Sequence, residues 1–275
     1  MGKSLQGSSV ICFTRQLPYP TVTRSSSQCL PEAWYVPCPL FQTISANTTT
    51  ELSAALVSGN RVPLEKLQLV QPQWNDSSVT DSIYQYTREP LMLCARAINF
   101  IAGDVSSPAT EFPIPLAQAW RHIAEELGAW YTNRPEEFQP IVELDLDSRA
   151  GERLFPTVLF TNGAAVLANQ LYHTAMMILL QHKPRTLVLD SRRSSAVSPL
   201  WHAQRVCGIA LNNDRRECWD LSLVSSLFVA AKKMTYEPQQ REILRRFDAI
   251  ARVTGWNIGR FSSMLRDEWD ISDKG

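Results

Sequence analysis

From about Asp81 onward, apolar residues recur at helical spacing, and each run stops at a residue that cannot continue a helix. Leu91, Leu93, Cys94, Ala97, Ile98 and Ile101 make the first stripe, which Gly103 ends. Leu116, Trp120, Ile123, Ala124, Leu127 and Trp130 make a second over 115–131. Asn133, Arg134 and Pro135 close it, because a residue before proline avoids helical dihedrals. The span 154–182 is apolar nearly all round and predicts a long central helix, with Pro156 in its first turn and Pro184 past its end. Three further helices are predicted over 199–210, 221–233 and 238–253, the last burying Ile243, Leu244, Phe247, Ile250 and Ala251. Gly255 suits a helix C-cap and Asn257 the start of a final helix, whose inner face would carry Ile258, Phe261, Leu265 and Trp269. No alternating run is long enough to predict a sheet, so the fold class is all-α.

Residues 1–80 read differently. They are rich in Ser, Thr, Pro and Gln, with Pro18, Pro20, Pro31, Pro37 and Pro39 interrupting any helical period. An irregular N-terminal segment, 1–80, is expected to precede a helical domain, 81–275. The clusters at Trp34 and Tyr35 and over 64–70 are candidates to dock on that domain.

Composition narrows the function classes. Apolar residues are 44% of the chain and charged residues 20%, which is ordinary globular usage. Lys plus Arg and Asp plus Glu are 27 each, so no net field draws the chain toward nucleic acid or acidic lipid. No membrane association is expected, and the location expected is intracellular, in nucleus or cytoplasm. Cys12, Cys29, Cys38, Cys94, Cys207 and Cys218 contain no Cys-x-x-Cys pair, the spacing that would preorganise a zinc site. They are read as small hydrophobes, and no metal or cofactor is expected.

The glycines form no phosphate loop, and Gly-x-Ser-x-Gly, His-Glu-x-x-His and kinase motifs are all missing. Glu143, Asp145 and Asp147 alternate in IVELDLDSR, as an acidic loop or as one half of a magnesium site whose other half is not in the sequence. Asn169, Tyr172 and His173 stand out as polar residues inside the apolar central helix. Buried polar groups need partners, so these either fix packing by interhelical hydrogen bonds or line a pocket. Trp201, His202 and Arg205 form a second cluster one turn long, read as a helix start with a solvated basic face or as part of the same pocket. Trp120, Trp130 and Tyr131 are expected in the core.

Four segments carry a resemblance to a family. LGAWYTNRPEEFQPI from Leu127, FPTVLFTNGAAVLANQLYHTAMMILLQHKP from Phe155, WHAQRVCGIA from Trp201 and VTGWNIGRFSSMLRDEW from Val253 together resemble the regulatory domain of fungal binuclear zinc-cluster transcription factors. The resemblance implies a helical array that senses signals and contacts other proteins. The six-cysteine cluster, basic linker and coiled coil of such factors have no counterpart before Asp81, so direct sequence-specific DNA binding is not expected.

Two functions compete. One is a transcription-factor-like regulatory protein acting through a protein partner in transcription control or a hydrophobic small molecule, in a setting such as secondary metabolism. The other is a repurposed small-molecule-binding protein or cofactor-free, pericyclase-like cyclase in fungal natural-product biosynthesis. Shape and a few hydrogen bonds can drive such chemistry without a catalytic motif.

Overall fold

The computed structural model describes residues 46–67, 78–103, 115–146, 153–187 and 195–270, all within the unit Cys38–Gly275. Their order is α1 (Ala46–Ser58), α2 (Ser78–Ile101), α3 (Leu116–Asn133), β1 (Val142–Leu144), β2 (Thr157–Leu159), α4 (Gly163–Gln181), α5 (Pro199–Asn212), α6 (Leu221–Ala231), α7 (Glu237–Thr254) and α8 (Gly259–Trp269). The fold is all-α apart from a two-stranded antiparallel hairpin, β1 on β2, which pairs Val142 with Leu159 and Leu144 with Thr157.

Helix α4 is the axis of the fold. It packs against α2, α3, α5 and α6, and its sixteen residues Gly163–Ala175 and Met177–Leu179 are buried. Its length and composition would suit a bilayer, but 89% of the apolar window is buried by protein, as in the core helix of a folded domain. Helix α3 faces it with a stripe of Trp120, Ile123, Leu127 and Trp130, as the periodicity predicts. Both indoles are pinned through their N–H groups: Trp120 donates to the Leu179 carbonyl at 2.7 Å and Trp130 to that of Tyr86 at 3.0 Å. These two tryptophans are core residues, as expected.

The central helix starts later than its apolar run. Residues 157–159 form β2, and α4 begins at Gly163, where the Asn162 side chain accepts from the Ala165 N–H at 2.8 Å. The β-branched pair Thr157 and Val158, set between Pro156 and a good N-cap, favours strand and stop over helix. The final helix also differs. Gly255 caps α7 in the left-handed conformation, φ 71°, as predicted, but Ile258 and not Asn257 holds the cap position of α8.

Within the segment expected to be irregular, α1 is a helix built into the core. Leu52, Ala55 and Leu56 are buried, and α1 packs on α6. Ser53 and Ser225 hydrogen-bond to each other across that contact, and Asp220, the N-cap of α6, bonds with Thr49. Leu67 is buried as well, so the 64–70 cluster docks at least through that residue. Most of 1–80, including Trp34 and Tyr35, lies outside the described residues, as do Cys12, Cys29 and Cys38. Cys94, Cys207 and Cys218 are buried thiols, with burial pushing the Cys94 thiol up to about 12.

A candidate ligand site of histidine, arginine and aromatic rings

Three chain breaks in helical geometry place the site. Arg134 follows α3 with extended dihedrals, φ −61° and ψ 137°, as a residue before proline should. That turn returns its guanidinium over the ring of Tyr131, 3.5 Å from the centroid, with Nη1 donating to the Tyr131 carbonyl. Ser198 then starts α5 by accepting from the Trp201 N–H at 3.3 Å, which fixes Trp201, His202 and Arg205 on successive positions of one face. The third break is the hairpin, whose alternation aims Glu143 and Asp145 to one side.

These elements meet α4 at Tyr172 and His173. The Tyr131 ring stacks on Tyr172 at 4.4 Å, so its two faces are taken by Tyr172 and Arg134. His173 meets Tyr172 edge-on at 4.9 Å, Trp201 at 5.6 Å and Tyr131 at 5.8 Å. Arg205 lies over Trp201 at 4.5 Å. Tyr172, His173, His202 and Arg205 are buried, whereas Tyr131, Arg134 and Trp201 are half-buried and form the outer rim.

The two histidines are joined. His173 Nδ1 is 2.8 Å from His202 Nδ1, and His202 Nε2 is 2.9 Å from the Ala196 carbonyl oxygen. A carbonyl only accepts, so His202 Nε2 carries the proton. Neutral His202 then has a bare Nδ1, and His173 Nδ1 must donate to it. The chain of donors leaves His173 Nε2 as a lone pair, with no hydrogen-bond partner among the described residues. Both rings are held neutral: burial lowers His202 to about 4 against the opposing pull of the Ala196 hydrogen bond. Burial first, then His202 and Arg134, hold His173 well below the ordinary histidine range. Burial also raises the Tyr172 phenol and lowers the Arg205 guanidinium.

Arg205 is not on a solvated basic face. Only 2% of its side chain is exposed, and it pairs with Glu143 through Nη2 and with Asp145 through Nη1, the latter at 3.1 Å. The alternating acidic residues therefore clamp the hairpin to α5; Asp147 lies outside the described residues. No group of three or more His, Cys, Asp or Glu side chains able to hold a metal occurs among the described residues. The Nε atoms of both Arg134 and Arg205 are buried without a partner.

Asn169 stands apart from the other candidates. Its amide donates to the Phe138 and Ala165 carbonyls, each at 2.8 Å, and ties α4 to the turn that follows Arg134. Its contribution is packing, by the interhelical hydrogen-bonding expected as one alternative. The cluster instead recruits Tyr131, Arg134, Glu143 and Asp145. The sequence carried one signal for them, the two-residue alternation of Glu143 and Asp145 opposite a lone Arg205 on an apolar helix.

No protein-family model, no curated protein and no solved structure matches the chain.

Proposed function

We propose that the chain is a small-molecule-binding helical domain that serves as a transcription-factor-like regulatory protein, with its ligand held at the cluster of Tyr131, Arg134, Tyr172, His173, Trp201, His202 and Arg205. One observation carries this reading: beside the aromatic rings lie the buried, unpartnered Nε groups of Arg134 and Arg205 and the Nε2 lone pair of His173, whose hydrogen bond to His202 is made through Nδ1. Each of the two buried Nε groups costs about 1–3 kcal/mol when left unsatisfied, and sites that hold ligands are where a fold tolerates that cost. The partly exposed rim of Tyr131, Arg134 and Trp201 gives access from solvent. The regulatory role rests on the four segments that resemble the regulatory domain, and it operates through a protein partner and not through direct DNA contact.

The alternative, a cofactor-free cyclase, is favoured by one feature of the same cluster. Its fixed lone pair and guanidinium N–H groups are preorganised beside aromatic rings, the kind of arrangement that steadies shifting charge in a bound substrate. The neutral histidines provide hydrogen bonding at neutral pH and little basicity.

Calorimetric titration of the purified protein with 2-naphthol, a neutral planar probe, tests the site. Saturable binding to one site, weakened at least severalfold by Trp201→Ala, is expected; no binding up to the solubility limit of the probe overturns the proposal. Removal of the chain from its host separates the roles, since altered transcript levels are expected of the regulator and an altered metabolite with unchanged transcripts of the cyclase.

A further inference from the structure

We infer that the ligand class of this site is a planar hydroxy acid: an aromatic or enolic molecule with a hydroxyl that donates to His173 Nε2 and a carboxylate that accepts from Arg134. The inference rests on the ligand-binding reading above and adds the chemistry of the occupant.

The donor chain fixes the first half. Ala196, His202 and His173 form a one-way sequence of hydrogen bonds, so the free end at His173 Nε2 presents an acceptor and never a donor while both rings stay neutral. A ligand carbonyl or ether oxygen placed there would face lone pair against lone pair. A hydroxyl would satisfy it.

Charge fixes the second half. Arg205 has two carboxylates, Glu143 and Asp145, on its terminal nitrogens. Arg134 has none among the described residues: Nη1 donates to its own turn at the Tyr131 carbonyl, and Nε is buried and unpartnered. Its positive charge adds to burial in lowering His173 and Arg205, and it opposes burial at the Tyr172 phenol. A carboxylate beside Arg134 would complete the guanidinium and offset a cation that otherwise opposes Arg205. A hydroxyl alone would leave Arg134 as it is, and a second cation is excluded.

Ring geometry ties the two halves together. Arg134 lies 3.5 Å and His173 5.8 Å from the same Tyr131 ring centroid, so a one-ring or two-ring molecule has the length to reach both. Tyr172 and Trp201 each meet the His173 ring in an edge-to-face arrangement, an aromatic setting that favours a flat, unsaturated body beside His173.

The experiment compares 4-hydroxybenzoate and 6-hydroxy-2-naphthoate with their methyl ethers and with 2-naphthol, by calorimetry on the full chain at neutral pH. At least one hydroxy acid is expected to bind roughly tenfold tighter than its own methyl ether and roughly tenfold tighter than 2-naphthol, each a single charge-assisted or directional hydrogen bond. Arg134→Gln, a half-buried rim change, should erase the advantage of the acid over 2-naphthol measured on the same variant. His173→Phe should erase the advantage of hydroxyl over ether. If that variant does not fold, the Arg134→Gln comparison decides alone. Equal binding of acid, ether and 2-naphthol, or an Arg134→Gln protein that keeps the preference for acid, overturns the inference and leaves the ligand-binding proposal standing. Failure of every probe to bind overturns both.

Discussion

A carbonyl oxygen, that of Ala196, sets the protonation of two imidazoles and thereby the polarity of the site. Because His202 is held at about 4, below the ordinary histidine value of 6.5, the unfolded chain binds a proton over an interval in which the folded chain does not. The sign follows: the stability linked to this group is complete above about pH 6.5 and is lost as pH falls toward 4. His173, lowered in the same direction, adds to the loss. Between pH 7 and pH 5 the folded state should lose on the order of 2 kcal/mol through His202. Urea midpoints at the two pH values check this, and His202→Gln should flatten the difference; an equal drop in wild type and variant would contradict it. Protonation also removes the Nδ1 acceptor, so the same acidification should weaken any ligand that depends on the His173 lone pair.

Among the elements, the hairpin is the part that converts α5 into a site wall. It is fastened at one end by Glu143 and Asp145 on Arg205 and at the other by α5 amides. Asn213 accepts from the Phe160 N–H at 3.1 Å and donates to the Val158 carbonyl at 2.9 Å. Between these, Gly208 lets Pro156 approach so closely that a Cβ there would sit 2.3 Å from the Pro156 carbonyl oxygen. Gly208→Ala should therefore push the hairpin off α5 and cost about 1–3 kcal/mol, read as a lower urea midpoint with unchanged slope. An unchanged midpoint would show that the hairpin is not seated this way. The same elements explain what the sequence pattern conveyed. Helices α3 and α7 announce themselves because one apolar stripe of each faces the core, and α6 because it is apolar and buried nearly all round. Helix α1 does not, because Thr49 and Ser53 share its buried face with Leu52 and Leu56, and their partners on α6 are remote, 172 residues away for Ser53. Three-residue strands give too short an alternation to separate from a loop, and α4 absorbed β2 because both are apolar. His173 and His202 were legible as polar residues on apolar helices, whereas the burial of Arg205 was not, since its Asp145 partner lies 60 residues upstream.

At the scale of the whole molecule, α4 joins the site to the core, because His173 and Tyr172 lie on the helix against which α2, α3, α5 and α6 all pack. Occupation of the site should thus raise the stability of the fold as one unit, by about 2.7 kcal/mol at a hundredfold excess of ligand over Kd. Under the proposed regulatory role, a ligand that satisfies Arg134 and His173 would act on the turn after α3 and the start of α5 together. The balanced charge of the chain, 27 of each sign, supplies no net long-range field. All of this depends on an unsatisfied acceptor at His173 Nε2. Imidazole nitrogen NMR of histidine-labelled protein, recorded at neutral pH before and after addition of 6-hydroxy-2-naphthoate, measures that acceptor directly. His202 should appear as the Nε2–H tautomer and His173 as the Nδ1–H tautomer, with the His173 Nε2 resonance moving on addition of the probe. A His173 protonated at Nε2, or a His173 Nε2 resonance that stays in place at saturating probe, would contradict the account.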